Sequence, residues 1–135
     1  MIKYNIDNID RIIKDSGKQV VLFGAGQIGE MCLFAMRQKK IKVDFFCDSM
    51  ERKQGVDFNG IKTLSPDDLN KLDPETNIFI SNNYVSVINE QLKKNNFKNI
   101  YNCVELFEKT DFNSSKLTLQ PAKIERWVAF YKNMT

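Results

Sequence analysis

Two hydrophobic periods alternate along this chain. Ile6, Ile9, Ile12 and Ile13 stand at helical spacing among Asp and Lys, which predicts an amphipathic leading helix ending near Gly17. The apolar run Val20–Phe23 then predicts a first strand at about 19–23. Behind it, Ile28, Met31, Cys32, Ala35 and Met36 recur at i, i+3, i+4, i+7 and i+8, the stripe of a core-facing helix. A second strand is predicted at about 42–47, and its continuous apolar end fits a sheet covered on both faces. The polar stretch from Ser49 to Gly55 leads into Phe58–Leu64, where Asn59-Gly60 predicts a small hairpin or a turn into a short strand. Ser65-Pro66-Asp67-Asp68 starts a helix: Ser65 caps, Pro66 suits the first helical position, and the two acids meet the dipole. That helix ends by about Leu72, before Asp73-Pro74. Ile78-Phe79-Ile80 is the next buried strand. Val85, Ile88 and Leu92 mark a helix, Lys98 to Tyr101 a further strand, and Val104 to Glu108 a short helix. Thr110 to Ser115 reads as a polar linker. Pro121 starts a last helix in which Ile124, Trp127, Val128 and Tyr131 share one face.

The junction of the first strand and its helix carries the chemistry. Val20-Val21-Leu22-Phe23 runs into Gly24-Ala25-Gly26-Gln27-Ile28-Gly29, and Asp48 closes the second strand 19 residues after Gly29. Strand, G-x-G-x-x-G, helix, strand and acid, in that order, build a cradle for a nucleotide diphosphate. Gly24 lets the chain turn off the strand, Gly26 lets backbone approach a pyrophosphate, and Gly29 lets the helix pack on the sheet. The first amides of that helix lack partners within it and suit a phosphate. Asp48 can accept from ribose hydroxyls and would repel a 2′-phosphate, so NAD is expected over NADP. The alternation of elements implies an α/β fold, a Rossmann-like doubly wound parallel sheet of about five strands with flanking helices. Its C-terminal strand ends share one rim, which brings Ser81, Asn82 and Asn83, with Ser49, to the same place as Gly24 and Asp48. Ser and Asn are also common helix caps, and one of the three is expected to do only that. The organisation reads as a leading helix at 1–17, a nucleotide-binding domain at 18–109, a linker at 110–120 and a C-terminal helix at 121–135.

Composition narrows the classes. A chain of 135 residues is one domain, and at this size it buries roughly two-thirds of its unfolded surface. The net charge of +3 comes from interleaved acids and bases. With no basic stripe or aromatic platform, a nucleic-acid partner is not expected. The three cysteines, Cys32, Cys47 and Cys103, are widely spaced and histidine is absent. Neither a zinc site nor a disulfide framework follows from that set, and a catalytic cysteine would lack its usual base. Met1 to Tyr4 carries no signal-peptide pattern and no apolar run spans a bilayer, so cytoplasm is the expected compartment.

The segment from Val20 to Phe107 resembles the small Rossmann domains of bacterial saccharide-biosynthesis proteins. Such domains stand beside nucleotide-sugar dehydratases, epimerases and sugar acetyltransferases. The likeness is carried by Phe23-Gly24-Ala25-Gly26-Gln27-Ile28-Gly29, by Phe45-Phe46-Cys47-Asp48-Ser49, and by Gly60-Ile61-Lys62-Thr63-Leu64-Ser65-Pro66. It implies NAD or a UDP-sugar-type nucleotide on Gly24 to Gly29, with Asp48 on the ribose or near the base. The chain departs from the catalytic members. A Tyr-x-x-x-Lys pair is missing, since Tyr4, Tyr84, Tyr101 and Tyr131 are followed four residues later by Asn8, Ile88, Glu105 and Thr135. The reading favoured is therefore a binding domain without complete catalytic machinery. A nucleotide-sensing regulatory module and the cofactor domain of an NAD-dependent oxidoreductase are the alternatives. The apolar face around Trp127 is expected to pack back onto the domain; a homodimer or docking surface is its second reading.

Overall fold

The computed structural model describes residues 1–103, 106 and 125–129. At its centre lies β1 (Val20–Phe23), with β2 (Phe45–Cys47) parallel on one side and β5 (Asn77–Ile80) parallel on the other. All eight residues of β1 and β5 are buried. Strands covered on both faces have no polar side to show, which is why these segments read as unbroken apolar runs. The two faces nonetheless take alternate residues. Val20, Leu22, Phe46 and Phe79 face α1 (Ile9–Ser16) and α2 (Gln27–Gln38). Val21, Phe23, Cys47, Ile78 and Ile80 face α3 (Pro66–Leu69) and α4 (Val85–Lys94).

The full order is β3-β4-β2-β1-β5-β6, with β3 at Asp57–Phe58, β4 at Ile61–Leu64 and β6 at Ile100–Asn102. Five strands are parallel, as the sequence pattern implies, and a sixth, β3, is the antiparallel arm of the hairpin. Asn59 and Gly60 both take positive φ, 53° and 81°, which reverses the chain within two residues. The segment that leaves the turn then lies along the free edge of β2, pairing Phe46 with Thr63 and Cys47 with Leu64. The hairpin is thus part of the main sheet.

Several elements differ in extent from the sequence pattern. The leading helix starts at Ile9, so its buried face narrows to Ile9 and Ile13 while Ile12 is exposed. Gly17 ends it in the left-handed conformation. β2 is shorter than the strand expected at 42–47; Asp44 instead ties the chain to β1, its carboxylate accepting from Val20 N at 2.8 Å. Ser65 caps α3 as expected, its hydroxyl accepting from Asp68 N at 3.1 Å, and the helix ends at Leu69. On α2, Leu33 and Phe34 are buried as well as the expected stripe. Trp127, in the helical stretch 125–129, packs its ring 5.4 Å from that of Phe34 and is itself buried. A helix sandwiched between sheet and further chain needs apolar residues on both sides. The expected helix at Val104–Glu108 (Leu106 apart), the linker, and Pro121, Ile124 and Tyr131 lie outside the described residues.

Candidate functional site

Successive strands on the rim end at Phe23, Cys47 and Ile80, and the residues that follow them interlock. Gly24 N donates to Cys47 O at 2.8 Å, and Ser81 N donates to Phe23 O at 2.9 Å. The buried Ser81 hydroxyl donates to Gly24 O at 3.0 Å. Gly24 has φ of +132°, and a Cβ there would run into the Ser81 carbonyl. A Cβ on Gly29 would run into the carbonyl oxygen of Gly24. These two glycines are demanded by the corner itself.

Gly26 is different. It holds the N-cap position of α2 in an extended conformation, φ −123° and ψ −156°, which other residues adopt. A Cβ there would meet only Lys53 Nζ, at 3.6 Å. Having no side chain, Gly26 leaves the first amides of α2 uncapped. The positive end of a three-turn helix therefore faces the cleft, with the tip of Lys53 as the nearest side-chain atom at Gly26.

Asp48 is built into this corner. Its Oδ2 accepts from Ala25 N at 2.9 Å and its Oδ1 from Met50 N at 2.9 Å, so the carboxylate fastens the glycine loop to the loop after β2. Lys53 Nζ stands 3.8 Å from Oδ2. Just inside the corner, burial pushes the Cys47 thiol well above its ordinary range, with the Asp48 and Asp68 charges adding to the shift. Cys103 is raised too, by burial first and then by its contact with Cys32. All three thiols are buried. Iodoacetamide at pH 8 is therefore expected to leave them unmodified in the folded protein and to label them on denaturation. Mass spectrometry of the native protein checks this, and rapid labelling of Cys47 would contradict the burial described.

A cleft of about 600 Å³ opens between these loops and the start of α4. Its polar side is made by Gly24, Gly26, Gln27, Asp48, Ser49 and Lys53, with Ser81 and Asn82 at the floor. From α4 and its start it is lined by Tyr84, Val87, Ile88 and Gln91, and from the loop after β2 by Met50 as well. Tyr84 is 71% exposed and Val87 67% exposed, an unusual outlay of apolar surface beside a polar loop.

The cleft gathers most, but not all, of the residues singled out in the sequence. Gly24, Gly26, Gln27, Ile28, Asp48, Ser49, Ser81 and Asn82 line it. Gly29 is enclosed in the corner, and Ala25 is buried with its amide committed to Asp48. Asn83 is exposed and outside the cleft lining. Asn82 does the local work of starting α4, its Oδ1 accepting from Tyr84 N at 2.8 Å. Sequence reasoning missed Lys53, Met50 and Val87. All three looked like ordinary loop or helix residues, and only the fold brings them into one cleft with Gly26.

The model of the C2185-like N-terminal domain matches residues 16–100. The chain belongs to this family. The matched span of the C2185-like domain includes the glycine corner, Asp48, Lys53 and the whole of α4. No curated protein matches the chain. Among solved structures, the crystal structure of UDP-D-quinovosamine 4-dehydrogenase from Vibrio fischeri is similar, at 21% identity and a TM-score of 0.49. The likeness covers 79% of this chain and 97% of that one. Among the described residues of the C2185-like domain and its flanks, no group of His, Cys, Asp or Glu is arranged to hold a metal ion. No helix among them is long and apolar enough to cross a membrane.

Proposed function

We propose that the cleft binds a nucleotide or nucleotide-diphosphate sugar, NAD or a UDP-sugar type, and that the domain serves saccharide biosynthesis by holding that ligand. One observation carries the reading: the uncapped amino end of α2 lies behind Gly26, inside a cleft that also presents the exposed apolar surface of Met50, Tyr84 and Val87. A diphosphate belongs at the amides, where charge and donors coincide. The base belongs against Met50, Tyr84 and Val87, whose exposed surface a flat ring would cover. The Gly60–Pro66 stretch supports the saccharide context, because it is the more specific of the three segments that carry the resemblance to saccharide-biosynthesis domains. A carboxylate offers about four lone-pair positions, and the Ala25 and Met50 amides take two of those of Asp48. A ribose hydroxyl would take another, and a 2′-phosphate would meet the carboxylate charge. The bound group contributes its own reactivity elsewhere; this cleft positions it.

Thermal denaturation with NAD, NADP, UDP, UDP-sugars and coenzyme A tests the proposal. A true ligand at 100 times its Kd adds about 2.7 kcal/mol of stability, which shifts melting by roughly 10 °C in a domain of this size. A melting temperature indifferent to every nucleotide tried would sink it. NADP stabilising more than NAD would remove the role given to Asp48.

A further inference from the structure

We propose that Lys53 is the counter-charge for a phosphate seated on the open face of Gly26, and that Asp48 serves to aim it; the inference rests on the cleft reading above.

The loop that carries Lys53 is tied down at both ends. Asp48 N donates to Leu64 O at 3.1 Å and Gly55 N to Thr63 O at 2.8 Å, both on β4. Between them, Gln54 Nε2 donates to Asp48 O at 3.1 Å, and Glu51–Lys53 forms one 3-10 turn. The backbone under Lys53 is therefore set by the sheet. Its side chain is 31% exposed and leans back over the glycine loop rather than outward. The ammonium ends 3.6 Å from where a Gly26 Cβ would stand. An anionic oxygen placed on that face would be in ion-pair contact with the amine and would face the uncapped amides of α2 as well.

A purely structural role accounts for little of this. The Asp48 oxygen nearest Lys53 already accepts from Ala25 N at 2.9 Å, and the amine stays 3.8 Å away. Ion pairs of this looseness stabilise a fold weakly. Among the described residues the three ammonium donors make no hydrogen bond, although a neighbouring carboxylate keeps them over Gly26. Lysine acts on phosphates as a point charge. Its position beside Gly26 matches the phosphate bridge of the ligand rather than a group at the ribose.

Calorimetric titration of the wild type, Lys53→Gln and Lys53→Arg with inorganic pyrophosphate, UDP and ADP tests the assignment, with far-UV melts confirming that the variants fold. Pyrophosphate and UDP should bind at least tenfold more weakly to Lys53→Gln, while Lys53→Arg keeps most of the affinity. Equal affinity of wild type and Lys53→Gln for pyrophosphate overturns the assignment, as does wild-type protein that ignores pyrophosphate. Lys53-dependent binding of pyrophosphate without any binding of UDP or ADP upholds Lys53 and defeats the nucleotide reading. Nucleotide binding untouched by Lys53→Gln does the reverse.

Discussion

Gly29→Ala should lower the melting temperature by roughly 10 °C, or prevent folding, even though alanine is the better helix former by about 1 kcal/mol. The added methyl would collide with the carbonyl oxygen of Gly24 and come within 3.2 Å of the Phe46 ring. Neither neighbour can retreat. Gly24 is bonded to Cys47 O through its amide and to Ser81 through its carbonyl, and Phe46 is fully buried between β1 and β4. Overpacking against backbone in such a place costs about 3 kcal/mol. Circular dichroism melts of the wild type and variant measure it. A variant melting within a few degrees of wild type would mean that α2 stands farther from the β1 turn than described.

Gly26→Val should do the opposite: leave the fold standing and weaken ligand binding about a hundredfold. Valine tolerates the extended backbone of Gly26, and the Cβ it adds would meet only the flexible end of Lys53. The stability cost is that of a poor N-cap, about 1 kcal/mol or less. Yet the methyls would stand between the α2 amides and any phosphate. Losing that approach should weaken nucleotide binding about a hundredfold, equal to about 2.7 kcal/mol. Titration of the variant with the nucleotide that most stabilises the wild type reads this directly. Unchanged affinity would place the phosphate somewhere other than the face of Gly26. Together the two variants divide one short motif into residues that build the corner and one that leaves it open.

That division marks how far the sequence could be read. The apolar runs named β1 and β5, because strands covered on both sides carry their burial in every residue. The stripe named α2 because its burial recurs with the helical period, and Ser65-Pro66 named the start of α3 because capping is a local demand of backbone hydrogen bonding. Gly24 and Gly29 were legible for the same kind of reason: a tight turn and a close approach exclude a side chain whatever else surrounds them. Asp48 was legible as an acid at the end of a strand, but its grip on the Ala25 and Met50 amides was not. Those bonds join loops 23 residues apart in one case, and nothing in the spacing of residues says which way a carboxylate turns.

Pattern alone therefore determined the alternation of strand and helix, the layering of the sheet and the place where its glycine turn opens. Tertiary structure decided the rest: that β4 lies along β2, that Phe34 is covered by Trp127, and that Lys53 stands over Gly26. The physical reason is range. Dihedral preference and periodic burial act within a few residues and leave their mark on the local text, whereas a side chain reaching across a cleft depends on where two distant loops are held, and the sheet alone sets that.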